Sequence, residues 1–176
     1  MTNIFQVTEI IKKLDLTSGQ KLADFGCGRF GFFVKPIAQA LGKKGKVYAI
    51  DVMRDVIEEI EHLIRVENLP QIEPLRANIE EHVNIENNSV DAVVIINTLF
   101  QSEKRLEILR EAVRILKSGG KLLIVDWRKQ DSPYGPPAEL RINFTSLKVA
   151  ALKAGLELED EFSAGGYHQG VLFIKL

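Results

Sequence analysis

Cysteine is almost missing from this 176-residue sequence: Cys27 stands alone, so no internal disulfide can form, and a reducing, cytoplasmic setting is the expectation. An excess of charge is missing as well. The 23 basic and 24 acidic residues leave a formal net charge of −1, whereas a chain that lives on phosphate contacts shows a basic excess, so nucleic acid is not indicated as a partner. No apolar run approaches the ~20 residues that span a bilayer. The opening MTNIFQVTEIIKKLDL alternates polar and apolar positions instead of carrying a signal-peptide core, so no membrane partner is expected. Histidine occurs three times. His62 and His82 fall on expected solvent faces without metal-ligand spacing to a partner, so no metal site is expected. What is present is an ordinary globular balance, 45% hydrophobic and 27% charged, which excludes disorder and fits one domain over residues 1–176. Oligomers are left open.

Periodicity then gives the elements. Ile4, Val7, Ile10, Ile11 and Leu14 share a helical face, stopped by Thr17-Ser18-Gly19. Lys21 to Phe25 reads as a strand running into glycines, and Phe32 to Leu41 as a helix with Pro36 in its first turn. Lys46 to Ile50 is a second strand. An amphipathic helix follows with Val56, Ile57, Ile60, Leu63 and Ile64 inward, closed by Asn68 and Pro70. Ile72 to Arg76 and Val90 to Ile96 are the next strands, the latter apolar enough to be covered on both faces. Ser102 is the expected N-cap of a helix with Leu106, Leu109, Val113 and Leu116 inward. Gly119-Gly120 then precedes the strand Lys121 to Val125. Thr145 is the expected cap of a helix to Ala154, stopped by Gly155.

Strand and helix alternate five times, which argues for a parallel sheet with helices on both faces. The tail differs: strands Leu156 to Ser163 and Gly170 to Leu176 are separated by six residues, AGGYHQ, too few for a parallel crossover. The fold class is therefore α/β, a Rossmann-like, mostly parallel sheet ending in an antiparallel β-hairpin.

Chemistry concentrates in Leu22-Ala-Asp24-Phe-Gly26-Cys27-Gly28-Arg-Phe-Gly31, between the first strand and a helix. Glycines there let the chain turn sharply and let a ligand meet bare backbone. Asp51 ends the second strand, where a carboxylate can accept both hydroxyls of a ribose. Each piece has an ordinary reading, since such glycine spacings also make simple turns and such Asp residues also cap helices. Their order along one βαβ unit points to a nucleoside site. A nicotinamide-dependent oxidoreductase shares this spacing. Against it stand Asp24, which repels a pyrophosphate but suits an ammonium, the terminal hairpin, and the lack of length for a substrate domain. A non-catalytic nucleoside-binding module in a complex is the other alternative.

DFGCG at 24–28, VYAIDV at 47–52, SVDAVVIINTLFQ at 89–101 and EAVRILKSGGKLLIVDW at 111–127 resemble class I S-adenosylmethionine-dependent methyltransferases. The likeness is to small, type-11-like, single-domain members and runs from about residue 18 onward. It implies a seven-stranded sheet, S-adenosyl-L-methionine as cofactor, and methyl transfer to a small-molecule acceptor. It also implies that Asp24 and the backbone of Gly26, Cys27 and Gly28 face the methionine end, that Gly31 belongs to the cofactor-binding set, and that Asp51 holds the ribose with Val52 and Met53 against the adenine. By the same likeness Asn78 contacts the adenine amino group beside Ile79, and Asn97 lies near the methionine moiety or the reacting centre. Two departures stand out: Arg29-Phe30 delays the third glycine by one residue and can aim Arg29 into the site, and Leu99-Phe100-Gln101 replaces a histidine pair of the family.

A sulfonium methyl needs an aligned acceptor more than a general base, so no catalytic residue is assigned outright. The turn after the sixth strand, with Tyr167 and His168, and the Pro-rich segment Arg128 to Pro137 leave the sheet on the cofactor side. They are the expected lining of the acceptor pocket, with His168 the candidate base. Trp127 and Tyr134 are expected to pack against that segment more than to stack on an acceptor. An RNA-binding role would need Lys12, Lys13, Lys43, Lys44, Lys46, Arg128 and Lys129 on one face.

Overall fold

Alternation along the central strands decides which helices cover which face. In this computed structural model, which describes residues 7–130 and 132–176, β1 (Lys21–Phe25) sends Leu22 and Asp24 to one side and Ala23 and Phe25 to the other. On the Leu22 side lie α1 (Val7–Lys12), α2 (Val34–Leu41) and α3 (Arg54–Glu67), which bury Ile10, Ile37, Leu41, Val56 and Ile60 against the sheet. On the Phe25 side α4 (Arg105–Ile115) and α5 (Phe144–Lys153) bury Ile108, Leu109, Ile115, Leu147 and Ala151. Ile4 lies outside the described residues.

The sheet adds β2 (Lys46–Asp51), β3 (Ile72–Arg76), β4 (Val90–Ile96), β5 (Leu116–Trp127), β6 (Leu156–Ser163) and β7 (His168–Lys175), in the order β3-β2-β1-β4-β5-β7-β6. The first five strands are parallel. β7 runs antiparallel to both β5 and β6, so the last strand of the chain sits between its two neighbours. This is the seven-stranded, Rossmann-like α/β sheet with helices on both faces and the terminal hairpin expected above. α3 closes as its sequence requires: Asn68 adopts a left-handed conformation and its N–H donates to the Ile64 carbonyl.

Several boundaries differ from expectation. Ser102 does not cap α4: a 3-10 turn over Leu99–Gln101 precedes it, the Ser102 Oγ accepts the Lys104 N–H at 2.9 Å, and the helix starts only at Arg105. α4 turns Ile108, Leu109, Ala112 and Ile115 inward against the sheet and leaves Leu106 exposed. Leu116 is already extended, and β5 begins there with a bulge over Lys117 to Gly120. Asn143, not Thr145, caps α5, its side chain accepting the Ser146 N–H at 3.1 Å, which brings Phe144 into the core. The hairpin turn is shorter than read, because β7 starts at His168 in register with Trp127.

The basic residues do not gather on one face. Lys43, Lys44 and Lys46 lie where β2 begins, Arg128 and Lys129 where β5 ends, at opposite edges of the sheet. Lys12, Lys13 and Lys46 are paired with Glu9, Asp160 and Glu73.

Candidate functional site

Parallel strands deliver their carboxyl ends to one edge, and there the loops enclose a cavity of about 670 Å³. The loop after β1 forms one wall. Gly26 and Cys27 both donate to the Ile50 carbonyl at 2.9 Å, which turns the chain back over the end of β2. A Cβ on Gly26 would meet Thr98 Oγ1 at 2.6 Å, whereas one on Gly28 would meet open space. Gly28 holds φ 64 and ψ −179, a conformation closed to side-chain-bearing residues, and so offers bare backbone where a ligand approaches.

Asp51 ends β2 and ties two segments together: Oδ2 accepts the Gly28 N–H at 3.2 Å and Oδ1 the Met53 N–H at 3.0 Å. Val52, Met53 and Val56 continue the lining. The loops after β3 and β4 meet across the intervening ends of β2 and β1, because Ser102 Oγ donates to Glu80 Oε1 at 2.6 Å. That hydrogen bond, with Lys104 at 3.5 Å, holds the Glu80 carboxyl below its ordinary range. Asn97 stands at φ 52 just after β4. Its backbone carbonyl accepts from Gln101 Nε2 at 2.8 Å, and its Oδ1 is buried without a hydrogen-bond partner.

Asp24 sits behind the glycine loop, 2% exposed, in a layer where its alternate neighbours are apolar. Burial, then the nearby Asp51 charge, pushes its carboxyl up to about 7, and Oδ2 has no hydrogen-bond partner. Because this lies above the ordinary 3.8, the folded chain holds the proton more tightly than the unfolded chain does. The resulting stabilisation is full below about pH 4 and is lost as pH rises through about 7. Urea midpoints of the wild type should therefore fall relative to those of Asp24→Asn across that window. A constant difference would show that the carboxyl is already charged at its lower end. Burial, and then Asp24 and Asp51, push the Cys27 thiol upward too, so Cys27 stays a thiol and not a nucleophile.

Of the expected site residues, Gly26, Cys27, Gly28, Asp51, Val52, Met53, Ile79 and Asn97 line this cavity. Gly31 instead packs on α3 against Leu63. Asn78 is not in the lining: its Oδ1 accepts the Glu80 N–H at 3.1 Å and its Nδ2 donates to Glu81 at 3.2 Å. Arg29 reaches the rim, but its guanidinium is held by Glu59 at 2.6 Å and by Asp55. Glu80, Ser102, Thr98, Gln101, Phe32, Phe33, Ile96 and Ile108 complete the wall without having been singled out as site residues. Of these, the sequence marks Ser102 only as a helix cap, and Gln101 only as part of the Leu99-Phe100-Gln101 departure from the family.

Tyr167 and His168 do not reach the cavity, and neither do the described residues of the segment after β5. His168 is fully buried in β7 and packed on Trp127 with ring centroids 4.1 Å apart. Burial, then the charge of Arg128, lowers its pKa to about 4. Arg141 gathers the carbonyls of Gln130, Ser132, Tyr134 and Pro136. Tyr134 meets the ring of Tyr167, and Arg128 donates to the Gly165 and Gly166 carbonyls. The Pro-rich segment thus closes on the β6–β7 turn and Trp127, not over the cavity.

Residues 23–124, more than half of the chain, match the family described as Methyltransferase domain. The chain belongs to that family. Demethylmenaquinone methyltransferases of Bacillus mycoides and Bacillus cereus are 28% identical to it over 118 residues, 67% of this chain and 49% of theirs. The chain therefore spans about half the length of the curated relatives it matches. A crystal structure of a SAM dependent methyltransferase from Aquifex aeolicus superposes with a TM-score of 0.90 at 27% identity, covering 98% of this chain and 91% of that one. A type 11 methyltransferase, so named as putative, from Sulfolobus solfataricus shares the fold with a TM-score of 0.79 at 24% identity, over 99% and 95%. The fold and family are those of class I S-adenosylmethionine-dependent methyltransferases.

The residues present fit that cofactor. Asp51 and Glu80 line the cavity, Asp24 lies behind it, and Arg29 is neutralised by two carboxylates. This field suits a ligand carrying a sulfonium and an ammonium and opposes a pyrophosphate. No described helix is long and apolar enough to cross a membrane.

Proposed function

We propose that this chain transfers a methyl group from S-adenosylmethionine to a small, uncharged, largely apolar acceptor, acting as one domain over residues 1–176 in the cytoplasm. The observation that carries the reading is the buried Asp24 carboxyl, with an unpartnered oxygen beside Asp51 and behind the Gly26–Gly28 loop. Bound there, the cofactor supplies an electrophilic methyl group.

The chain's own residues do the rest. Asp51 accepts the ribose hydroxyls through lone pairs left free by its two backbone bonds, and Gly28 allows close approach. Asn97 offers its unpartnered Oδ1 to a donor from the cofactor or acceptor. Gln101 holds the Asn97 backbone in the left-handed conformation that aims it. Phe32, Phe33, Ile96 and Ile108 give the acceptor an apolar wall that keeps water away. Arg29 is no anion hook, because Asp55 and Glu59 already satisfy it. An uncharged acceptor with an apolar face agrees with the names of the curated relatives, which act on demethylmenaquinone.

Calorimetric titration with S-adenosylmethionine, S-adenosylhomocysteine and NAD tests this reading. Binding of the first two and not the third is expected. Binding of NAD alone would favour an oxidoreductase. Cofactor binding with no transfer to any quinol or phenol acceptor would favour a non-catalytic module.

A further inference from the structure

We infer that the groove between Phe30 and the outer face of α3 is a docking site for a basic amphipathic helix of a partner protein. The groove shares no lining residue with the cavity described above, so the inference stands apart from what that cavity binds. It measures about 660 Å³, and its apolar part is Phe30, Leu63 and Val66. Phe30 is 78% exposed and Val66 66%. Asp55, Glu59, Leu63 and Val66 recur at helical spacing, so the groove follows α3 from Asp55 to Glu67. That is ~18 Å, the length of a short partner helix of three turns.

Phe30 is held in place rather than left loose. It stands at φ 66 and ψ 3, a left-handed conformation unfavourable for a bulky side chain. Its neighbours impose this: Glu59 and Asp55 clamp Arg29 to α3, and Gly31 packs on Leu63. Charge then names the occupant. Asp55, Glu58, Glu59 and Glu67 line the groove, and no lysine or arginine among the described residues does. Arg29, Arg54 and Lys35 pair with these acids from outside the lining, so four carboxylates share three cations and keep lone pairs for further donors. Glu59 Oε2 has no hydrogen-bond partner. A second copy packed α3 on α3 would set these carboxylates against one another, and an anionic lipid surface would be repelled likewise. A helix with leucines on one face and lysines or arginines beside them covers the apolar floor and meets the acids.

The test titrates the full chain, by fluorescence anisotropy, with two labelled peptides of about 14 residues each. One places leucine and lysine at helical period, and the other carries glutamate for lysine. The lysine peptide should bind at least about tenfold more tightly, and its affinity should fall as salt rises. Phe30→Asn, which puts a residue tolerant of the left-handed conformation there, should weaken that binding about tenfold or more. Glu58→Lys, an exposed change that leaves the loop alone, should weaken it about fivefold or more. Val149→Ser removes an exposed apolar residue from α5, on the other face of the sheet, and should leave binding within about threefold. Thermal melts confirm that the three variants fold. No binding, equal affinity for both peptides, or lysine-peptide binding that survives both Phe30→Asn and Glu58→Lys would overturn the assignment. A dimer in sedimentation that Phe30→Asn dissolves would make the occupant a second copy, and would overturn it too.

Discussion

Asp51→Ala should bind S-adenosylmethionine at least about a hundredfold more weakly than the wild type while folding normally. The carboxylate has about four acceptor positions, and two are taken by the N–H groups of Gly28 and Met53. The remaining two match a vicinal diol. Hydrogen bonds to a charged group are worth about 1.5–3 kcal/mol each, and each ~1.4 kcal/mol is a factor of ten in affinity. Losing the pair accounts for a hundredfold or more before the loosened Gly28 backbone is counted. Asp51→Asn keeps one acceptor oxygen and should fall between the two. Calorimetry decides the matter, and an alanine variant within about threefold of the wild type would place the ribose elsewhere.

The second large effect is on stability. Arg141 is 5% exposed and serves four backbone carbonyls while lying 6.0 Å from the centroid of the Trp127 ring. Arg141→Ala strands those carbonyls in a segment with no helix or strand to satisfy them. Several lost charge-assisted bonds should cost about 3 kcal/mol or more, which for a chain of this size lowers Tm by roughly 6–12 °C. Arg141→Lys should recover only part, because an ammonium cannot reproduce the planar fork. Cofactor affinity should be unchanged, since neither Arg141 nor the segment it holds lines the cavity. A melt shifted by less than about 2 °C would show that Pro133, Pro136 and Pro137 hold the segment by themselves.

Much of this architecture was legible because it is written in short periods. Val90 to Ile96 and Lys121 to Val125 read as buried strands, and Asp24 to Asp51 spans one βαβ unit whose parts are local. What stayed hidden depends on contacts distant in sequence. The Glu80–Ser102 bond joins residues whose loops leave strands two places apart in the sheet, so no spacing announces it. Leu106 and Ile108 each belong to an apolar stripe containing Leu109, and only packing against the sheet, where Ile108 joins the core, chooses between them. His168 looked like a turn residue because a six-residue loop is reasonable by itself. Its pairing with Trp127 extends the strand and buries the ring.

The place of β7 has a consequence for synthesis. The chain emerges from the ribosome in order, yet β6 is made before the strand that joins it to the sheet. Until His168–Lys175 arrives, β5 exposes the full hydrogen-bonding edge that β7 will occupy, and the acidic strand Leu156–Ser163 has no neighbour to pair with. The residues that line the cavity lie in the loops after β1 through β4 and on α4, all earlier in the chain than β6 and β7. Pairing of β6 with the sheet therefore depends wholly on His168–Lys175, the strand inserted between β5 and β6.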